Sequence, residues 1–237
     1  MMAVATEGLY HTSHGCDKAL VTMANWASLQ TVFQQQHLLT LAIEPVVNWR
    51  RPVGPDHLPG DVRKAVAHIR HPERRACRLA GRIAARRACT TRSRMTTAHH
   101  LTIESLPSGK PVFPNQPNTH LSITHAAEFA LACVGNQPMG IDMEKIEHRP
   151  PAFIRYFFTA QEQAWLHRQN FSQNDSIILV NTLWTRKEAI SKLLGEGGRM
   201  ALGSISVLPK ECPFSVNSYQ VGNYVISLAM SFQEASR

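Results

Sequence analysis

The chain has 237 residues, 43% of them hydrophobic and 18% charged, which is enough apolar content for a sizeable core and excludes a disordered protein. Its formal charge of +8 points to an anionic partner: nucleic acid, a phosphorylated ligand or an acidic protein. The five cysteines (Cys16, Cys77, Cys89, Cys133, Cys212) form no C-x-x-C pair, which argues against a zinc site or a disulfide framework.

In chain order, residues 1–60 mix Gly, His, Gln and short apolar runs such as Leu38 to Ile43. Glu7, His11, His14 and Asp17 interrupt any signal-peptide pattern, and no apolar run approaches the ~18 residues of a membrane span. With free cysteines, this gives the expectation of a soluble, cytoplasmic protein. Pro52, Gly54, Pro55, Pro59 and Gly60 make a loop. His71-Pro72-Glu73 then starts a helix in a strongly basic region, where Arg74, Arg78, Arg82 and Arg86 recur every four residues as one stripe. Ala76, Leu79, Ala80, Ile83 and Ala84 supply its apolar side. The stripe is either a solvated face or a phosphate clamp, since guanidinium matches phosphate oxygens two at a time. Strand patterns follow at Leu101 to Leu106, Val112-Phe113, Leu121 to His125, Phe129 to Val134 and Met139 to Ile146, with a turn at Pro107-Ser108-Gly109. Thr159-Ala160-Gln161-Glu162 is a capping box. Asp175 opens a long helix with Ile177, Ile178, Leu183, Ile190, Leu193 and Leu194 on its apolar face, stopped by Gly195, Gly197 and Gly198. Ser204 to Leu208 and Tyr224 to Met230 read as closing strands. Alternating strands and helices predict an α/β (α+β) fold.

Two segments carry the chemistry. In Gly140-Ile141-Asp142-Met143-Glu144, strand alternation puts Asp142 and Glu144 on one face. Two adjacent carboxylates repel unless a cation lies between them or one keeps its proton, and oxygen ligands favour Mg²⁺ or Mn²⁺. A strand end with two solvated acids is the plainer alternative. In Trp184 to Lys192, helical spacing stacks Trp184, Glu188 and Lys192 in a row. Glu188 would complete the cation's ligands or take a proton, and Lys192 would reach a phosphate. An ordinary Glu–Lys helix pair, with Trp184 in the core, is the other reading of this segment. Thr124 and His125 place a hydroxyl and an imidazole just upstream, as phosphate contacts or structural groups.

Taken in order, these pieces resemble the phosphopantetheinyl transferase family. Its signature is (V/I)G(V/I)D-x-E followed some forty residues later by W-x-x-K-E-x-x-x-K, matched here by Gly140 to Glu144 and Trp184 to Lys192. Phe157-Phe158-Thr159 with Glu162 fits a further family stretch. Leu79-Ala80-Gly81-Arg82, Gly109-Lys110-Pro111 and Ser122-Ile123-Thr124-His125 resemble the two-lobed, surfactin-synthetase-activating type, and most closely the enterobactin synthetase component D group. The resemblance runs from about residue 70 to 230. Departures are Thr124 for Ser, Met143 for a β-branched residue, and Cys77 and Arg78 where relatives often carry an acid and an aromatic.

The resemblance implies transfer of 4′-phosphopantetheine from coenzyme A to a serine of an apo carrier protein, leaving adenosine 3′,5′-bisphosphate, for siderophore or other nonribosomal peptide synthesis. It implies two similar α/β lobes related by a pseudo-twofold axis with the active site in the cleft, residues 61–137 forming the first lobe and 138–237 the second. Residues 1–60 carry none of the resemblance and either extend the first lobe or stay mobile. Asp142, Glu144 and Glu188 would hold Mg²⁺, with the Met143 main chain close by. Glu188 would take the serine proton, Lys192 and His125 with Thr124 would bind the pyrophosphate, and Arg74, Arg82 and Lys110 would face the nucleotide. The implied protein is a monomer, and its positive charge would steer acidic carriers. Two rivals remain: a metal-dependent nuclease, and a basic nucleic-acid-binding module using the arginine helix.

Overall fold

A computed structural model describes residues 20–51, 54, 57–93, 101–169, 172–196, 200–209 and 211–231. Glu7, His11, His14, Cys16, Asp17, Pro52, Pro55, Gly197 and Gly198, named above, lie outside the described residues. The fold is mixed α and β, in two compact units.

The first unit spans Leu29–Pro138. Helix α1 (Trp26–Gln36) enters it at Leu29 and is followed by β2 (Thr40–Pro45), α2 (Gly60–Val66) and α3 (Pro72–Ser93). Two short strands, β3 (Glu104–Ser105) and β4 (Pro111–Val112), precede the hairpin of β5 (His120–Ala126) and β6 (Phe129–Gly135). The main sheet has the antiparallel order β2-β6-β5. Helix α3 packs on β6 and β2 through Ala84, Ala85, Ala88 and Cys89, whose small side chains let helix and sheet approach closely. The expected strand over Leu101 to Leu106 shrinks to β3. Its backbone is held by side chains instead: Arg86 donates to the Leu101 carbonyl, Arg82 to the Ile103 carbonyl, and the Ile103 N–H donates to Asp61.

The second unit joins residues 20–28 to residues 139–231. It contains β1 (Val21–Met23), β7 (Met139–Lys145), α4 (Pro151–Phe157), α5 (Ala160–Arg168), α6 (Gln173–Leu194), β8 (Ser215–Val221) and β9 (Tyr224–Met230). The sheet order is β1-β8-β9-β7. β1 runs parallel to β8, so residues far apart in sequence close this sheet. The predicted capping box is present: Thr159 Oγ1 accepts from the Glu162 N–H, and the Glu162 carboxylate accepts from the Thr159 N–H. Helix α6 ends as anticipated on Gly195, in the left-handed conformation at φ 76° that glycine adopts without strain. Leu194, assigned to its apolar face, is exposed.

Ser204 to Leu208 is not a strand. The Lys187 ammonium takes the carbonyls of Leu202 and Ile205, and the Val207 N–H donates to Glu162, so buried side chains replace a neighbouring strand. The missing strand is β8, whose Asn217 and Ser218 are buried and break the apolar alternation. Ser218 bonds Ser227 at 3.0 Å, which bonds Thr185 of α6 at 2.8 Å.

Candidate active site

Strand β7 and helix α6 pack directly against each other, and Gly140 sets how closely. A Cβ there would lie 1.9 Å from the Ala189 carbonyl oxygen and 2.4 Å from the Leu193 nitrogen. Those atoms are backbone, so only glycine permits this approach. It brings Asp142 of β7 beside Glu188 and Lys192 of α6.

Lys192 Nζ donates to Asp142 Oδ1 at 2.7 Å, with Asp142 nearly buried and Lys192 half-buried. Glu144 accepts at Oε1 from the Trp184 indole N–H at 3.0 Å and at Oε2 from Arg149 Nη2 at 2.9 Å. Arg149 is itself fixed by Asn181 of α6 at 3.1 Å, by Glu147, and by the Phe153 ring at 5.2 Å. Burial first, and then Asp142, push the Glu144 pKa up against the indole and guanidinium bonds. Glu188 is pushed up to about 7, first by burial and next by Asp142, with Lys192 opposing and Glu144 adding. Three carboxylates therefore share one field, and Glu188, opposed only by a Lys192 ammonium already paired with Asp142, carries the largest shift.

Asp142, Glu144, Glu188 and Lys192 are thus brought together. The donor chemistry, all carboxylate oxygen, suits Mg²⁺ or Mn²⁺. Among the described residues, however, no three acidic, His or Cys side chains are gathered as a ready metal cage. Glu144 is turned to Trp184 and Arg149, and Asp142 to Lys192. Met143 points its side chain into the core, 1% exposed, so only its main chain is available to a ligand.

The first unit rearranges the phosphate contacts expected from sequence. Thr124 is buried and His125 exposed, because successive residues of β5 face opposite ways; they do not form one hydroxyl–imidazole pair. The arginine stripe divides. Arg74 and Arg78 are exposed, whereas Arg82 and Arg86 are buried. Arg82 donates to the Ile103 carbonyl and the Ser105 hydroxyl, each at 2.7 Å, and Arg86 pairs with Asp61 at 3.0 Å. Lys110 is half-buried, and burial lowers its pKa. A cavity of about 740 Å³ in this unit is lined by Arg63, Lys64, His68, Arg78 and Arg82, with Arg74 and Lys110 outside its wall. Arg82 Nε is buried and has no hydrogen-bond partner among the described residues. His68, Arg149 and Asn181 were not legible as site residues, since none belongs to a motif. Lys187 of the tryptophan motif turns inward, fully buried against Glu162 at 2.8 Å.

Residues 138–227 match the model of the 4′-phosphopantetheinyl transferase superfamily. Over that stretch the chain is similar to the superfamily. The matched stretch holds the whole carboxylate–lysine group, from Asp142 to Lys192. Over 100 residues the chain is 32% identical to 4′-phosphopantetheinyl transferase ffp of Bacillus subtilis, covering 42% of this chain and 43% of that one. It is 30% identical over 99 residues to 4′-phosphopantetheinyl transferase Sfp of Bacillus subtilis (strain 168), covering 42% and 43%. With 4′-phosphopantetheinyl transferase gsp of Aneurinibacillus migulanus it shares 33% over 85 residues, 36% of this chain and 35% of that one. The chain thus spans less than half the length of these curated relatives. No helix among the described residues is long and apolar enough to cross a membrane.

Proposed function

We propose that this protein is a Mg²⁺-dependent 4′-phosphopantetheinyl transferase, moving the 4′-phosphopantetheine of coenzyme A to a serine of an apo carrier protein. The observation that carries the proposal is the packing of Asp142, Glu144, Glu188 and Lys192 across β7 and α6, within the stretch that matches the superfamily. The serine oxygen forms the new P–O bond, adenosine 3′,5′-bisphosphate leaves with the old one, and the serine proton passes to Glu188. A carboxylate with a pKa near 7 is matched to that task at neutral pH. Lys192 contributes positive charge where the phosphoryl group gains negative charge. Asp142 and Glu188, with Glu144 once it releases its partners, would hold the cation, whose contribution is to neutralise the pyrophosphate.

The basic cavity is the first unit's candidate for the nucleotide end of coenzyme A. Its volume suits a small-molecule ligand, and Arg82 Nε offers a desolvated donor to an anionic oxygen. The same burial weakens the nucleic-acid reading, because Arg82 and Arg86 are engaged inside the fold and the continuous stripe is lost. Resemblance to the enterobactin group supports a carrier of siderophore or nonribosomal peptide synthesis, with this chain acting as a monomer.

The test is intact mass of an apo peptidyl carrier domain after incubation with the protein, coenzyme A and Mg²⁺, beside an EDTA control. A metal-dependent gain of about 340 Da, one phosphopantetheine by formula, is expected. No gain on peptidyl, aryl and acyl carriers alike refutes the proposal.

A further inference from the structure

Lys192 pairs with Asp142 in a site that holds more negative than positive charge. Glu144 has Arg149, and Asp142 has Lys192. Glu188, one helical turn before Lys192, feels Asp142 and Glu144 as repulsion and Lys192 as the opposing attraction. The Lys192 ammonium therefore serves two carboxylates at once. It also differs from the other lysine of this helix. Lys187 is fully buried and locked by Glu162 and two carbonyls, whereas Lys192 is 27% exposed and donates to Asp142 on a flexible stem. One lysine is fixed and the other is able to move.

We propose that Lys192 is the built-in counter-ion of this site: it occupies Asp142 while no divalent cation is bound, yields Asp142 to the cation, and is thereby released toward an anionic substrate. The proposal rests on the metal-binding reading above and adds competition between a residue and the cation for one carboxylate. Two ligands of one group oppose each other's binding by an equal factor. Lys192 thus weakens cation binding in the substrate-free protein. By the same linkage, a phosphate-bearing substrate that captures the ammonium strengthens it. Cation and substrate then bind cooperatively through Lys192 alone, with no change of fold.

The experiment is titration of the substrate-free protein with Mn²⁺, following free Mn²⁺ by electron paramagnetic resonance. Lys192→Met keeps the aliphatic stem and removes the ammonium, and should tighten Mn²⁺ binding by roughly twofold to fivefold, the upper range for a partly screened ion pair. Lys192→Arg retains a partner for Asp142 and should bind as the wild type does. Lys145→Met removes a positive charge from the exposed end of β7, away from Asp142 Oδ1, and should change affinity less than twofold. Unchanged or weaker binding by Lys192→Met overturns the proposal. So does equal tightening by Lys145→Met, which would reduce Lys192 to a distant charge. If Lys192→Met does not fold, Lys192→Gln is titrated in its place against the same criteria. Asp142→Asn separates this from failure of the metal reading: binding lost in Asp142→Asn but indifferent to Lys192 sinks only the counter-ion, whereas binding indifferent to Asp142 sinks both.

Discussion

Replacing Glu188 with Gln should stabilise the metal-free protein, by an amount that grows with pH. Burial and Asp142 raise the Glu188 pKa from 4.5 to about 7. A carboxyl with a raised folded pKa binds more protons in the folded state than in the unfolded one between those two values. Stability is therefore lost as the pH climbs from about 4.5 to about 7, and the loss is constant above that. At about 1.4 kcal/mol per unit, the wild type gives up about 3 kcal/mol at pH 8, about 2 at pH 6 and under about 1 at pH 5. Gln escapes this penalty. The assay is urea unfolding of both proteins in EDTA at pH 5, 6, 7 and 8. The quantity of interest is the difference between them, in which groups common to both cancel. Saturating Mg²⁺ should narrow the gap, by stabilising the wild type more than the variant. A difference that does not vary with pH, or one that favours Gln more at pH 5 than at pH 8, refutes the reasoning.

Four further outcomes are expected. Gly140→Ala forces β7 off α6 and should cost about 3 kcal/mol or more, seen as a lowered thermal midpoint, because the new methyl meets backbone on both contacts. Lys187→Met leaves Glu162 charged and buried and should cost about 3–5 kcal/mol, whereas Glu162→Gln combined with Lys187→Met should cost less than the sum of the single changes in a double-mutant unfolding cycle. Arg78→Ala, at an exposed position on the basic cavity, should raise the coenzyme A KM severalfold with unfolding unchanged. Arg82→Ala strips the Ile103 carbonyl of its donor and should in addition lose about 1–3 kcal/mol of stability by denaturant titration.

The sequence was most legible where local chemistry decides structure. The Thr159–Glu162 capping box, the stop at Gly195 and the strand at Tyr224–Met230 are each set by residues next to one another in the chain, and each is present. It was least legible where a buried charge replaces a strand partner. Ser204 to Leu208 and Leu101 to Leu106 both have apolar runs fit for strands, yet their backbone groups bond Lys187 and Glu162 in one case and Arg82, Arg86 and Asp61 in the other. Nothing in the periodicity of those segments shows that a side chain from a distant helix supplies the hydrogen bonds. The same blindness explains the arginine helix. A repeat of four puts Arg74, Arg78, Arg82 and Arg86 on one face, but whether that face meets water or the 101–105 segment is set by tertiary packing. That Asp142 and Glu188 lie on the facing sides of β7 and α6 was legible from sequence, because strand and helix periods fix which face each occupies. Arg149 did not, because its tie to Glu144 depends on the path of the chain after β7.

Lys187 and Glu188 are neighbours on α6, and their opposite treatment separates structure from chemistry. Lys187 is buried with three acceptors for its three protons: Glu162, the Leu202 carbonyl and the Ile205 carbonyl. Glu162 in turn accepts from Thr159 and Val207, so the pair has no unmet polar demand and pins the 202–207 segment to the helix. Glu188 is also largely withdrawn from water, yet the charges nearest to it are mostly of its own sign, and its pKa rises accordingly. A fold shaped only for stability would compensate both residues or bury neither. Leaving Glu188 uncompensated costs free energy at neutral pH, and that cost falls once a cation or a proton arrives. On the proposed function, the residue left in deficit is the one through which binding and proton transfer would act on the fold, and the fully satisfied Lys187 beside it would hold the helix in register while they do.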